Sequence, residues 1–154
     1  MVDISSLIIG LRAETVKARQ DAAARLGKAG DPRAIGPLTA AIADPHPAVR
    51  GEVVKALGRL RDSSAIPGLI RALDDNETQV RAAAVAALGM IKDRASVEPL
   101  ILHLKDPAIE VRIGAAQVLG KIGDRRALGP LTNLKTDLFA DVREAASEAV
   151  SRLR

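Results

Sequence analysis

At 154 residues the chain is long enough to bury a substantial core as one domain, and it draws 47% of its residues from the hydrophobic types but only 1% from the aromatic ones. The absence of Cys, Trp and Tyr excludes disulfides, thiolate nucleophiles and Cys-ligated metals, and leaves core-building to Ala, Leu, Val and Ile. A formal charge of +4 is a modest excess with no concentrated basic run, so ordinary solvated faces account for it before a nucleic-acid footprint does.

The first stretch, Met1 to Leu11, has neither a positive leading segment nor a long apolar run. No signal peptide and no membrane span are expected, and a cytoplasmic setting is the default. From there a fixed period organises the chain. Val49-Arg50, Val80-Arg81, Val111-Arg112 and Val142-Arg143 recur 31 residues apart, with Ala18-Arg19 in the same phase. Leu7, Leu38, Leu69, Leu100 and Leu131 form one column, and Leu26, Leu57, Leu88, Leu119 and Val150 another. The expected organisation is a single domain over 1–154 built from five units, 1–31, 32–62, 63–93, 94–124 and 125–154.

Each unit reads as two helices. In the third, Ile66, Leu69, Ile70 and Leu73 carry helical spacing up to the break at Asp74-Asp75-Asn76. At about 100° per residue, Val80, Ala84, Ala87, Leu88 and Ile91 then fall on one inward face of a second helix. Pro45 and Pro107 follow Asp44 and Asp106, which predicts an acidic N-cap with proline in the first helical turn. Pro37, Pro99 and Pro130 stand too far from the preceding Asp for one continuous helix. A short turn therefore leads in, and the first helices begin near Ile35, Val97 and Leu128. Asp31, Asp62, Asp93 and Asp124 close the first four units, and the recurrent glycines suit close packing and helix ends.

The residues Pro99-Leu100, Asp106-Pro107, Val111-Arg112, Ala115-Ala116, Leu119-Gly120 and Ile122-Gly123-Asp124 resemble the short bacterial and archaeal HEAT-like repeat named after phycobilin lyases. The resemblance implies an all-α fold, a right-handed α-α superhelix (solenoid) of five HEAT-like helix pairs. It also implies a ladder between the column Asp44, Asp75, Asp106, Asp137 and the column Arg50, Arg81, Arg112, Arg143. Each acid would accept from an arginine of its own or a neighbouring unit. Because every repeat carries the same pair, this is not the mark of a catalytic site.

The end units depart from the pattern. Unit one has Ala13-Glu14 in place of an Asp-led turn, as a terminal cap allows. Unit five ends on a helix whose outer flank carries Glu144, Ser147 and Glu148, polar enough to end a monomer, while a weak homodimer through a terminal repeat is the alternative.

No constellation for catalysis stands out. His46 and His103 lack a third ligand, no serine sits in a G-x-S-x-G context, and no phosphate-binding glycine loop is present. No metal and no cofactor are expected. The resemblance places partners on the concave side lined by second helices. The outward positions derived by angle are Gln79, Ala82, Ala83, Ala86 and Met90, with equivalents Glu110, Ile113, Gly114, Gln117 and Lys121, flanked by Lys55 and Arg59. Met90 and Ile113 set among small residues form the centre of a candidate contact patch. Lys28, Arg59, Lys121 and Arg152 form a cationic stripe that helix C-termini also explain.

The expected function is a noncatalytic protein-interaction module, a scaffold, adaptor or regulatory subunit. The resemblance leaves two alternatives: a phycobilin lyase-like or tetrapyrrole-handling subunit, and a nucleic-acid-binding HEAT-like protein. The second is disfavoured because base stacking uses aromatic side chains and Phe139 is the only one.

Overall fold

The computed structural model describes residues 1–154, which form ten α-helices and no strand. The chain folds as two compact units, Met1–Ile91 and Lys92–Arg154, divided beside the expected boundary between the third and fourth repeats. The first unit holds three helix pairs: α1 (Ile4–Gly10) with α2 (Val16–Ala29), α3 (Ile35–Ala41) with α4 (Pro47–Leu60), and α5 (Ile66–Ala72) with α6 (Thr78–Ile91). The second holds two: α7 (Val97–Leu102) with α8 (Ile109–Ile122), and α9 (Leu128–Leu134) with α10 (Ala140–Leu153).

The expected lead-in turns are present. Pro32–Ala34, Ser63–Ala65, Arg94–Ser96 and Arg125–Ala127 are single 3₁₀ turns. They are opened by Asp31, Asp62, Asp93 and Asp124, whose carboxylates accept from the backbone N–H two residues on. Because each turn consumes the residues after the Asp, α3, α7 and α9 start at Ile35, Val97 and Leu128.

The second acidic column acts differently from the N-cap reading. Asp44 and Asp106 accept from His46 N–H and Ala108 N–H at 2.9 Å. The residues at the N-cap position are His46 and Ala108 themselves. An aspartate satisfies the N–H two residues ahead most readily, so it orders the turn. Pro45 and Pro107 therefore precede the helices, and it is Pro47 that occupies the first turn of α4.

Both leucine columns are buried. Leu38, Leu69, Leu100, Leu131, Leu26, Leu57, Leu88 and Leu119 are fully enclosed, and Leu7 and Val150 nearly so. Inside each unit the second helices pack most closely on one another, α2 on α4 and α4 on α6 in the first, α8 on α10 in the second. A glycine column makes this possible. A Cβ on Gly27 would lie 2.8 Å from the Cα of Ala56, one on Gly58 would lie 2.9 Å from that of Ala87, and one on Gly120 would lie 3.0 Å from that of Ala149. Gly51, one face away on α4, meets nothing within 4 Å.

The two α4 glycines should therefore respond with opposite signs to alanine. Alanine is favoured over glycine inside a helix by about 1 kcal/mol, so Gly51→Ala should stabilise by up to that amount. Gly58→Ala adds an overpacking cost of about 1–3 kcal/mol and should destabilise on balance. Urea unfolding of the two variants decides the matter; equal shifts would contradict the close approach.

Helix C-termini divide between glycine and non-glycine. Gly30 and Gly123 close α2 and α8 in the left-handed conformation, φ 69° and 75°, while Arg61 takes the same position after α4 at φ 52°. Two buried polar atoms lack a hydrogen-bond partner, the Ser96 hydroxyl and Arg112 Nε. Ser96, in the column of Ala34, Ala65 and Ala127, is fully buried and its hydroxyl makes no hydrogen bond. An unmet buried hydroxyl costs about 1–3 kcal/mol, so Ser96→Ala should raise the unfolding midpoint; a lowered midpoint would show that the hydroxyl is satisfied.

Candidate functional site

The arginine column reaches forward. In the first unit, Arg19 donates from Nε and Nη2 to Asp44 at 2.7 and 3.2 Å, and Arg50 donates likewise to Asp75 at 2.8 and 3.0 Å. Each arginine spends Nη1 on its own turn, Arg50 donating to the carbonyls of Asp44 and Pro45 at 3.0 and 3.2 Å. One guanidinium thus clamps the turn ahead of its own helix and the aspartate of the following repeat. The ladder implied by the resemblance is therefore present, with the carboxylate supplied by the neighbouring repeat and the carbonyls by the same one.

In the second unit Arg112 Nε lies 3.0 Å from Asp137 Oδ2, but its N–H points off that oxygen and makes no hydrogen bond. The charge contact holds while the bond geometry is poor. Arg112 also stands 5.9 Å from the centroid of the Phe139 ring, a cation–π distance.

These contacts set the local titration behaviour. Burial pushes the Asp75 carboxyl up, but the Arg50 hydrogen bond and the Glu77 N–H outweigh it and hold the group below the ordinary range. The Phe139 N–H, and then Arg112, lower Asp137 against its own desolvation. The Arg126 side chain and backbone bring Asp124 down to about 2. Arg50 is correspondingly raised by its bond to Asp75. All of these groups have structural partners, and no cluster of three or more His, Cys, Asp or Glu is placed to hold a metal ion.

The outward positions of the second helices are largely where the angular reading puts them. On α6, Gln79, Ala86 and Met90 are exposed and Ala82 is half-buried. Ala83 is a correction: it is buried at 9% exposure. It lies one turn before Ala87, on the side of α6 that meets Gly58 of α4, so the neighbouring helix covers it. On α4, Lys55 and Arg59 are exposed and both lie near Glu52, at 4.0 and 3.8 Å. Arg59 also lays its alkyl chain over Gly27, and Met90 places its sulfur over Gly58. These two side chains therefore seal the glycine contacts as well as face outward.

In the second unit Glu110, Gln117 and Lys121 are exposed, while Ile113 is half-buried. Gln117 and Lys121 line a shallow depression of about 220 Å³ with Ala145, Glu148, Ala149 and Arg152. Apart from the buried Ala83, the predicted residues lie on the second-helix surfaces of their own units.

The angular reading missed the other side of each unit. A groove of about 880 Å³ beside α1 and α3 is lined by Ile8, Ile9, Leu11 and Pro37. A second, of about 630 Å³ beside α7 and α9, is lined by Ile101, Leu102, Pro107 and Leu134. Ile9 and Leu102 share one phase of the repeat and are each 72% exposed. Apolar residues at a first-helix phase that Arg71 and Asn133 also occupy were the available signal.

Helix pairs of constant period, a leucine core, and an arginine–aspartate ladder together define a helix-pair repeat protein. The chain matches the HEAT repeats family over residues 4–88 and 66–151, and it belongs to that family. Among solved structures, it is similar to the complex of CpcE and CpcF of phycocyanin lyase from Nostoc sp. PCC7120, at 26% identity and a TM-score of 0.87. The alignment covers 99% of this chain and 65% of that one.

It also resembles human deoxyhypusine hydroxylase at 24% identity and TM-score 0.71, over 97% of this chain and 62% of that one. A designed armadillo repeat protein in complex with the peptide (KR)4 matches at 19% identity and TM-score 0.77, over 98% and 82% of the two chains. These last two show the shared fold. No curated protein matches the chain in sequence. No helix is long and apolar enough to cross a membrane.

Proposed function

We propose that the chain is a noncatalytic interaction module that binds a protein segment on its second-helix surfaces. HEAT repeats are a protein-binding scaffold, and the reading rests on one observation in particular. Met90 is 42% exposed on α6 beside exposed Ala86 and Gln79, an adaptable thioether among small and polar neighbours. Glu110, Ile113, Gln117 and Lys121 would serve on α8, and Lys55 and Arg59 at the rim on α4.

Two variants test the site. Met90→Asp places a charge at the centre of the patch, and Ala86→Arg adds bulk there at an exposed position. Both are expected to reduce recovery of the natural partner from source-cell extract by at least tenfold, about 1.4 kcal/mol of binding, with helicity by circular dichroism unchanged. Full recovery by the Ala86→Arg chain would remove the assignment.

The similarity to the phycocyanin lyase complex favours a second reading, a subunit of a lyase-type pair that handles a bilin. The chain spans 65% of the chain it matches there, and it has no cysteine. Mixing with a free bilin would produce a spectral shift on this reading; an unchanged spectrum counts against it.

A further inference from the structure

The groove beside α1 and α3 and the groove beside α7 and α9 are one arrangement built twice. Ile8, Ile9, Arg12 and Pro37 line the first, and their equivalents three periods on, Ile101, Leu102, Lys105 and Pro130, line the second. Both walls of each groove belong to the same unit. The repeat itself does not demand this arrangement. At the phase of Ile9 and Leu102 the other repeats hold Ala40, Arg71 and Asn133, and at the phase of Arg12 and Lys105 they hold Ala43, Asp74 and Thr136. Only the first and fourth repeats therefore set a large aliphatic side chain three residues ahead of a cation.

The two side chains of each pair are unsatisfied in different ways. Ile9 and Leu102 are each 72% exposed, so an occupant that covered them would remove apolar surface from water. Arg12 and Lys105 are exposed and make no ion pair. The acids beside them are already engaged. Asp44 takes two bonds from Arg19, Asp137 faces Arg112 at 3.0 Å, and Asp106 is buried and accepts from the Ala108 N–H. Each groove thus offers an apolar wall with one uncompensated positive charge at its rim.

We propose that each groove binds an acidic, leucine-rich segment of a partner protein, with apolar side chains against Ile9 or Leu102 and a carboxylate on Arg12 or Lys105. The uncompensated charge selects a carboxylate. The exposure of the wall selects a chain segment over a small amphiphile. Small ligands gain their affinity by having about 70–90% of their surface enclosed, and a wall that is itself 72% exposed covers an occupant on one side only. The site is formed by first helices and shares no residue with the second-helix patch around Met90.

Calorimetric titration of the full chain with the end-capped peptide Glu-Leu-Leu-Glu-Glu-Leu-Leu-Glu tests this. Two equivalents should bind. Arg12→Glu and Lys105→Glu should each weaken one of the two sites by at least about tenfold, and the double variant should weaken both. Leu102→Ser should weaken its own groove in the same way. Unfolding midpoints should stay close to that of the unaltered chain, because all three positions are exposed. A peptide with Lys for every Glu should fail to bind the unaltered chain and should bind the double variant. Met90→Asp should change none of this, which separates failure here from failure of the second-helix reading.

No binding by the unaltered chain, binding that survives the double charge reversal, or equal binding of a peptide with Ser for every Leu overturns the proposal. So does decanoate filling both grooves in place of the peptide. Self-association of the unaltered chain in light scattering, lost in the double variant, would make a second copy the occupant and overturns it as well.

Discussion

Leu57→Ala is expected to cost about 2–5 kcal/mol of unfolding free energy, the range for a buried leucine truncated in a core that only partly collapses. Leu57 is fully enclosed on α4, and α4 packs against α2, α3 and α6. A helix pair of this size cannot cover its own aliphatic stripe, so the leucine is buried by neighbouring repeats as much as by its own. Its loss should therefore loosen the central pair and its contacts on both sides. For a chain of this length about 1 kcal/mol moves the midpoint by roughly 2–4 °C, so a fall on the order of 10 °C is the expected calorimetric result. Leu138→Ala, at an 85% exposed position, provides the comparison and should move the midpoint little. Similar shifts for the two would mean that the leucine columns do not form the core.

The second large effect belongs to the ladder. Arg50→Ala removes a two-bond contact to Asp75, along with two bonds to its own turn. Breaking a buried ion pair by deleting one partner costs about 3–5 kcal/mol. The Arg50 and Asp75 side chains are 16% and 10% exposed, so solvent screens part of that, and about 2–4 kcal/mol is expected. Arg50→Lys keeps the charge but loses the planar fork, and should lie between the alanine variant and the unaltered chain. Combining Arg50→Ala with Asp75→Ala should cost less than the sum of the single changes, because the second change removes a group already left alone. Additive costs would show that the pair does not act as a unit.

The same pair predicts a pH dependence. Asp75 is held below its ordinary range in the folded chain. A carboxylate with a lowered folded pKa stabilises the fold above its unfolded pKa of about 3.9. That contribution disappears as pH falls through the folded value. Asp31, Asp62, Asp124 and Asp137 are lowered as well, so several groups act in one window. Stability should stay level from neutral pH to about 5 and drop steeply below about 4, and Asp75→Asn should flatten part of the drop.

Much of this fold is legible in the sequence because a fixed period repeats one physical problem. Val80, Ala84 and Leu88 can be assigned to the core from helical angle alone, and their burial follows. Ala83 shows where that arithmetic stops. An angle locates a residue about its own axis, but whether the side is covered depends on how near the next helix comes. That distance is set by Gly58 on a different repeat.

The ladder has the same character. Asp75 precedes Arg81 within a repeat and follows Arg50 from the one before, and spacing alone gives both arginines a claim. The structure divides the work, since the Asp75 carboxylate takes Arg50 while its carbonyl takes Arg81. The grooves beside the first helices were hidden for a related reason. They arise from space left between helices, and no single helix encodes it.

The glycine contacts and the arginine clamps also constrain how such a chain changes length. Gly27 meets Ala56, Gly58 meets Ala87 and Gly120 meets Ala149, while the carboxylate bonds of Arg19 and Arg50 each span 25 residues. An odd insertion between the partners dislodges both attachments together, whereas duplicating or excising one whole period leaves every remaining pair intact. Gain and loss of complete repeats is thus the mutational step that the junctions tolerate, and relatives of this chain should differ in repeat number more readily than in repeat length.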